Sequence, residues 1–125
     1  MKSTTKIKLS VAALALSAGL ALPLLRASAE QATEPQTIKG EIVDLMCYLD
    51  HGAKGEKHKG CATKCIESGG PVGLLSGDHL YLVIGDHAPM NKELAPKAGQ
   101  EVTLKGKVVE RHGMRMIEKA EIVAD

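Results

Sequence analysis

The sequence predicts a mainly β fold: a small five-stranded barrel with one short helix, the helix lying in a Cys/His-rich insert after the first strand. Three observations carry this. Five short runs rich in Val, Ile and Leu are bounded by Gly, Pro, Asp and Lys. One stretch between the first and second runs, "CYLDHGAKGEKHKGCATKC" (47–65), holds all three cysteines and two of the five histidines. The chain that follows residue 36 is long enough for one small domain and no more.

The elements follow in order. Residues 37–46, "TIKGEIVDLM", read as the first strand, with Gly40 at a bulge or bend. The insert, 47–70, opens as a turn-rich, lysine-rich loop and closes in a short helix at about 60–68. Gly69, Gly70 and Pro71 then stop that helix. "VGLLS" (72–76) and "HLYLVI" (79–84) are the second and third strands, joined by the turn Gly77–Asp78. Residues 85–100 form a long connection with one helical turn near 91–94. "EVTLKGKVVE" (101–110), the turn "RHG" and "MRMIEKAEIV" (114–123) supply the last two strands. Met46, Met114 and Met116 are expected to pack inward. Five short strands of this kind make a small closed or partly open barrel.

The N-terminus reads as a segment outside that domain. Basic "KSTTKIK" precedes apolar "LSVAALALSAGLALPLL", and "RASAE" follows with small residues at Ala27 and Ala29. This is the three-part form of a secretory signal peptide, residues 1–29, with cleavage after Ala29. Residues 30–36 read as a disordered leader and 37–125 as the domain. The expected compartment is the periplasm or the exterior, with no stable membrane insertion after cleavage. The signal segment holds Lys2, Lys6, Lys8 and Arg26, leaving 12 basic residues against 15 acidic ones in the mature chain. Tyr48 and Tyr81 are its only aromatic residues besides histidine. A single-strand nucleic-acid groove needs positive charge and stacking rings, so nucleic acid is excluded as a partner.

The run "AGQEVTLKGKVVERHGMRMIEKAEIV" resembles the last two strands of small exported bacterial OB-fold proteins, in Gly99, Val102, Leu104, Gly106 and Val108, then Ile117, Ala120 and Ile122. It covers about a quarter of the chain. The insert resembles a group of such proteins with an "H-x-x-C-x-x-x-C" segment after the first strand, matched here by His58, Cys61 and Cys65. The resemblance implies an OB-like barrel carrying a Cys/His site and implies no established activity. Fold does not decide function.

The candidate ligands are Cys47, His51, His58, Cys61 and Cys65. Cys61 and Cys65 are four apart, so a helix puts them on one face. Helical i, i+4 Cβ atoms stand roughly 5–6 Å apart, too far for a relaxed disulfide. Two sulfurs on one zinc ion, each about 2.3 Å from it, ask for less. Cys47 or His51, at the end of the first strand, supplies a further corner. Cys61 at the helix start, with Lys57, Lys59 and Lys64 around it, is expected to have a lowered thiol pKa. Asp44 and Asp50 flank the site, either solvated or orienting a ligating histidine. His87 and Met90 are fainter candidates for copper.

An odd number of cysteines in an exported chain leaves one thiol over after a disulfide. A three-thiolate site resolves that count. Three readings stand: a soft-metal site for zinc or copper, as cargo or structural ion, with another exported protein as partner in delivery; a disulfide staple with a spare thiol; and thiol redox chemistry. Haem held by an axial His or Cys is a fourth possibility, without a covalent attachment motif. No catalytic triad, phosphate loop or acid/base pair is evident, so the chain reads as a binding protein rather than an enzyme.

Overall fold

The computed structural model describes residues 34–123. The signal peptide expected at 1–29 and residues 30–33 of the leader lie outside the described residues. The order is β1 (Gln36–Asp44), α1 (Leu45–His51), a 3-10 turn (Glu56–His58), α2 (Lys59–Glu67), β2 (Val72–Ser76), β3 (His79–Val83), α3 (Asn91–Leu94), a 3-10 turn (Ala95–Lys97), β4 (Glu101–Arg111) and β5 (Met114–Val123). Gln36, assigned to the leader, already belongs to β1.

The five strands close into a barrel in the order β1-β2-β3-β5-β4. All neighbours pair antiparallel except β3 and β5, which run parallel through Leu82–Met116 and Val83–Ile117. β1 serves two partners in succession. Its first half pairs with β4 and its second with β2, and Glu41 pairs with both. The register runs unbroken through Gly40, so this glycine does not mark a bulge. It permits a close approach instead: a Cβ there would stand 2.5 Å from the Leu75 carbonyl oxygen. The bulge is on β5, where Lys119, at φ 51°, and Ala120 stand opposite the single residue Gly106 of β4 between the Lys105–Glu121 and Lys107–Glu118 pairs. His112 and Gly113 both take positive φ (53° and 81°), the primed geometry that suits a two-residue hairpin.

The core is aliphatic. Ile42, Leu74, Val83, Leu104 and Ile117 fill the barrel, and Ile66 and Leu94 join the same buried cluster from outside the sheet. Ile66 and Ala62 lie four apart on α2, so one face of that helix docks against β1, α3 and the turn at 95–97. Thr63 Oγ1 donates to the Ala95 carbonyl at 3.2 Å, and Asn91 Nδ2 donates to the carbonyls of Ile66 and Gly70 at 2.7 Å each. The insert is therefore held from two sides.

Several expectations need correction. The first strand ends at Asp44, and Leu45–His51 is a helix rather than strand and loop. Asp44 stops the strand because its side chain caps the next helix, a competition that short acidic side chains win at such junctions. Met46 is consequently on a helix surface, 64% exposed rather than core. Met114 is 71% exposed at the tip of the β4–β5 hairpin. Met90, by contrast, packs against the core rather than standing free as a ligand, and His87 is exposed beside Asp86.

Candidate metal centre

Two helices meet at the cysteines, and local sequence explains both. Asp44 is the N-cap of α1; its Oδ2 accepts the Cys47 amide at 3.0 Å. Gly52, in the left-handed region at φ 71°, ends α1 and donates to the Tyr48 carbonyl at 2.8 Å. α2 ends in a Schellman arrangement: Gly69 donates to Ile66 and Gly70 to Cys65, at 3.0 and 2.9 Å, with Gly69 at φ 98°. Each residue turns a helix by 100°. The turn that sends Ala62 and Ile66 into the core therefore sends Cys61 and Cys65 to a neighbouring face.

That arrangement brings Cys47, Cys61 and Cys65 together, with all three sulfurs within 4.8 Å of one another. None is in a disulfide. Cys61 is exposed, Cys47 and Cys65 partly so. Sulfurs about 2.3 Å from a shared tetrahedral ion sit roughly 3.7 Å apart, a spacing that small side-chain rotations reach from here. This is a group that can hold a metal ion. Cys65 also lines a surface groove of about 320 Å³ with Met46, Lys64, Ser68 and Gly70, so the cluster opens to solvent on that side.

The two candidate histidines are placed differently. His51 and His58 lie outside the 4.8 Å cluster, which consists of the three cysteines. Both are exposed. Their rings pack edge to face with centroids 6.3 Å apart, and His51 Nδ1 lies 3.1 Å from Asp50 Oδ2. The five candidate ligands thus divide into a thiol triad and a histidine pair.

The thiols of Cys47 and Cys65 are both held above the ordinary value. The hydrogen bond with Asp44, burial and the negative charges of Asp44 and Cys65 push the Cys47 thiol up to about 12. Burial raises Cys65 as well, with Cys61 and Asp44 adding to it against an opposing hydrogen bond from Cys47. Of the lysines expected around the site, Lys59 pairs with Glu56 at 3.6 Å, and Lys64 lines the groove beside Cys65. A bound cation would favour the thiolate forms that burial and Asp44 oppose.

Sequence reasoning placed Asp44 only at the margin of the site. Its side chain is 1% exposed, the one buried charged residue among those described. Oδ1 has no hydrogen-bond partner. The signal was available: an Asp directly after the strand residues Ile42 and Val43 and immediately before Leu45 is an N-cap candidate. Gly70 makes the space for it, since a Cβ there would stand 3.0 Å from Asp44 Oδ1 and 2.8 Å from the Cys65 carbonyl oxygen.

No protein family matches this chain, and neither a curated protein nor a solved structure does. The site therefore stands on its own geometry.

Proposed function

We propose that this is an exported metal-binding protein whose barrel presents a three-thiolate site for zinc or copper, and that the domain is OB-like. The carrying observation is the convergence of Cys47, Cys61 and Cys65 within 4.8 Å from two separate helices. Thiolates suit both zinc and Cu(I). Three protein donors leave a fourth position on a tetrahedral ion, filled by water or by a ligand from a partner. An open position at a solvent-facing groove fits exchange with another exported protein better than a sealed structural site. The OB-like reading is supported by the barrel order and by the resemblance in β4 and β5.

The thiol redox reading rests on Cys61 and Cys65. A reactive cysteine needs a lowered pKa, and burial raises the Cys65 thiol instead. A disulfide within the triad is the second reading, favoured by the hydrogen-bond contact between Cys47 and Cys65. The test is elemental analysis of the protein exported from a bacterial host, with free thiols counted on the same sample before and after a chelator. About one zinc or copper per chain, with thiols that become accessible on chelation, supports the proposal. A metal-free protein with one free thiol identifies the disulfide form and refutes it.

A further inference from the structure

Asp44 has no evident purpose as an isolated buried carboxylate. One oxygen caps α1, a task that serine or asparagine performs as well. The other has no hydrogen-bond partner, and no Lys, Arg or His among the described residues forms an ion pair with Asp44. A buried carboxylate oxygen left without a partner is costly, and a positive charge beside it relieves that cost. The carboxylate lies between the two elements that carry ligands. Its Oδ2 holds the Cys47 amide, and its Oδ1 faces Gly70, whose amide caps the Cys65 carbonyl.

We propose that Asp44 is the residue that sets the charge of the ion taken by the thiolate triad, selecting divalent zinc over monovalent copper. This rests on the metal-site reading above. With three thiolates and Asp44, the site gathers four negative charges. A monovalent ion leaves three of them uncompensated, a divalent ion two. In a partly dehydrated site that difference is amplified, because low dielectric strengthens every Coulomb interaction. Donor softness alone does not separate the ions, since three thiolates serve either. The partnerless carboxylate is the feature that does. Asp44 is a positioning residue and a source of charge, and it need not touch the ion.

The experiment is a comparison of zinc and Cu(I) affinities for the reduced full-length chain, each by competition with a chromophoric chelator under anaerobic conditions at one fixed pH. Asp44→Asn keeps a capping side chain and removes the charge. Zinc affinity is expected to fall about 10–100-fold, the usual range for groups behind a metal's ligands, while Cu(I), with half the charge, is expected to fall by about the square root of that factor, roughly 3–10-fold, so that the zinc-to-copper ratio falls. A role confined to capping or geometry moves both ions by the same factor, or neither, and that result overturns the proposal. If Asp44→Asn does not fold, as judged by its melting transition, the same ratio is read on Asp44→Ser, which also caps. A wild-type chain that retains neither ion refutes the metal-site reading itself, and this proposal with it. A wild-type chain that binds both, with an affinity ratio insensitive to residue 44, refutes this proposal alone.

Discussion

The Cys47 amide donates to Asp44 Oδ2 at 3.0 Å, so the residue that starts α1 also fixes one corner of the thiol triad. The same carboxylate pushes the Cys47 thiol up to about 12. Capping and site electrostatics are one interaction, and its consequences are measurable.

The first is alkaline sensitivity of the metal-free, reduced protein. Cys47 is raised from an ordinary thiol value near 9 to about 12. The folded state therefore favours the protonated thiol more than the unfolded chain does. This contribution is fully present below about pH 9 and is lost as pH rises from about 9 to 12. Urea unfolding at pH 8 and pH 10.5, for wild type and Cys47→Ser, measures it. Wild type should lose more stability across that interval than the variant. Equal losses would refute the assignment to Cys47.

The histidine pair gives a second outcome. His51 and His58 are exposed and lie outside the sulfur cluster. The double variant His51→Ala/His58→Ala should retain wild-type metal stoichiometry, whereas Cys61→Ser or Cys65→Ser should lose most of the bound metal. Elemental analysis after desalting reads both. Metal loss in the histidine variant would return the imidazoles to the ligand set.

Two glycines should respond in opposite directions. A methyl on Gly40 would enter the space of the Leu75 carbonyl, 2.5 Å away. Gly40→Ala should destabilise by about 1–3 kcal/mol through overpacking. Gly60 lies within α2 and has open space where its Cβ would be. Gly60→Ala should stabilise by roughly 0.5–1 kcal/mol through helix propensity. Chemical denaturation of the two variants decides this, and a stabilising Gly40→Ala would contradict the barrel's strand crossing.

Asn91 ties α3 to the end of α2 by two 2.7 Å hydrogen bonds, to Ile66 and Gly70. Asn91→Ala leaves two carbonyls without this donor and should cost about 1–3 kcal/mol. Hydrogen exchange should quicken at Gly69 and Gly70, whose amides close the end of α2. Unchanged exchange there would remove Asn91 from the account of how Cys65 is held.

Much of the barrel was legible because its signals are local. "VGLLS" and "MRMIEKAEIV" are strands with the boundaries that alternation and turn residues indicate, and Gly69–Gly70 stop α2 as their position implies. α1 was not legible. Its first five residues, Leu45 to Leu49, continue the apolar character of β1, and only the capping preference of Asp44 marks the change. The thiol triad was half legible. Spacing paired Cys61 with Cys65, but bringing Cys47 to them depends on α1. The raised pKa of Cys47 depends on a carboxylate whose burial no spacing rule reveals.

The central claim is that Cys47, Cys61 and Cys65 together hold one ion. X-ray absorption at the metal edge of the purified, metal-loaded protein tests it most directly. The account predicts about three sulfur scatterers at roughly 2.3 Å with one lighter neighbour. A first shell of nitrogen and oxygen, or one containing a single sulfur, would contradict it.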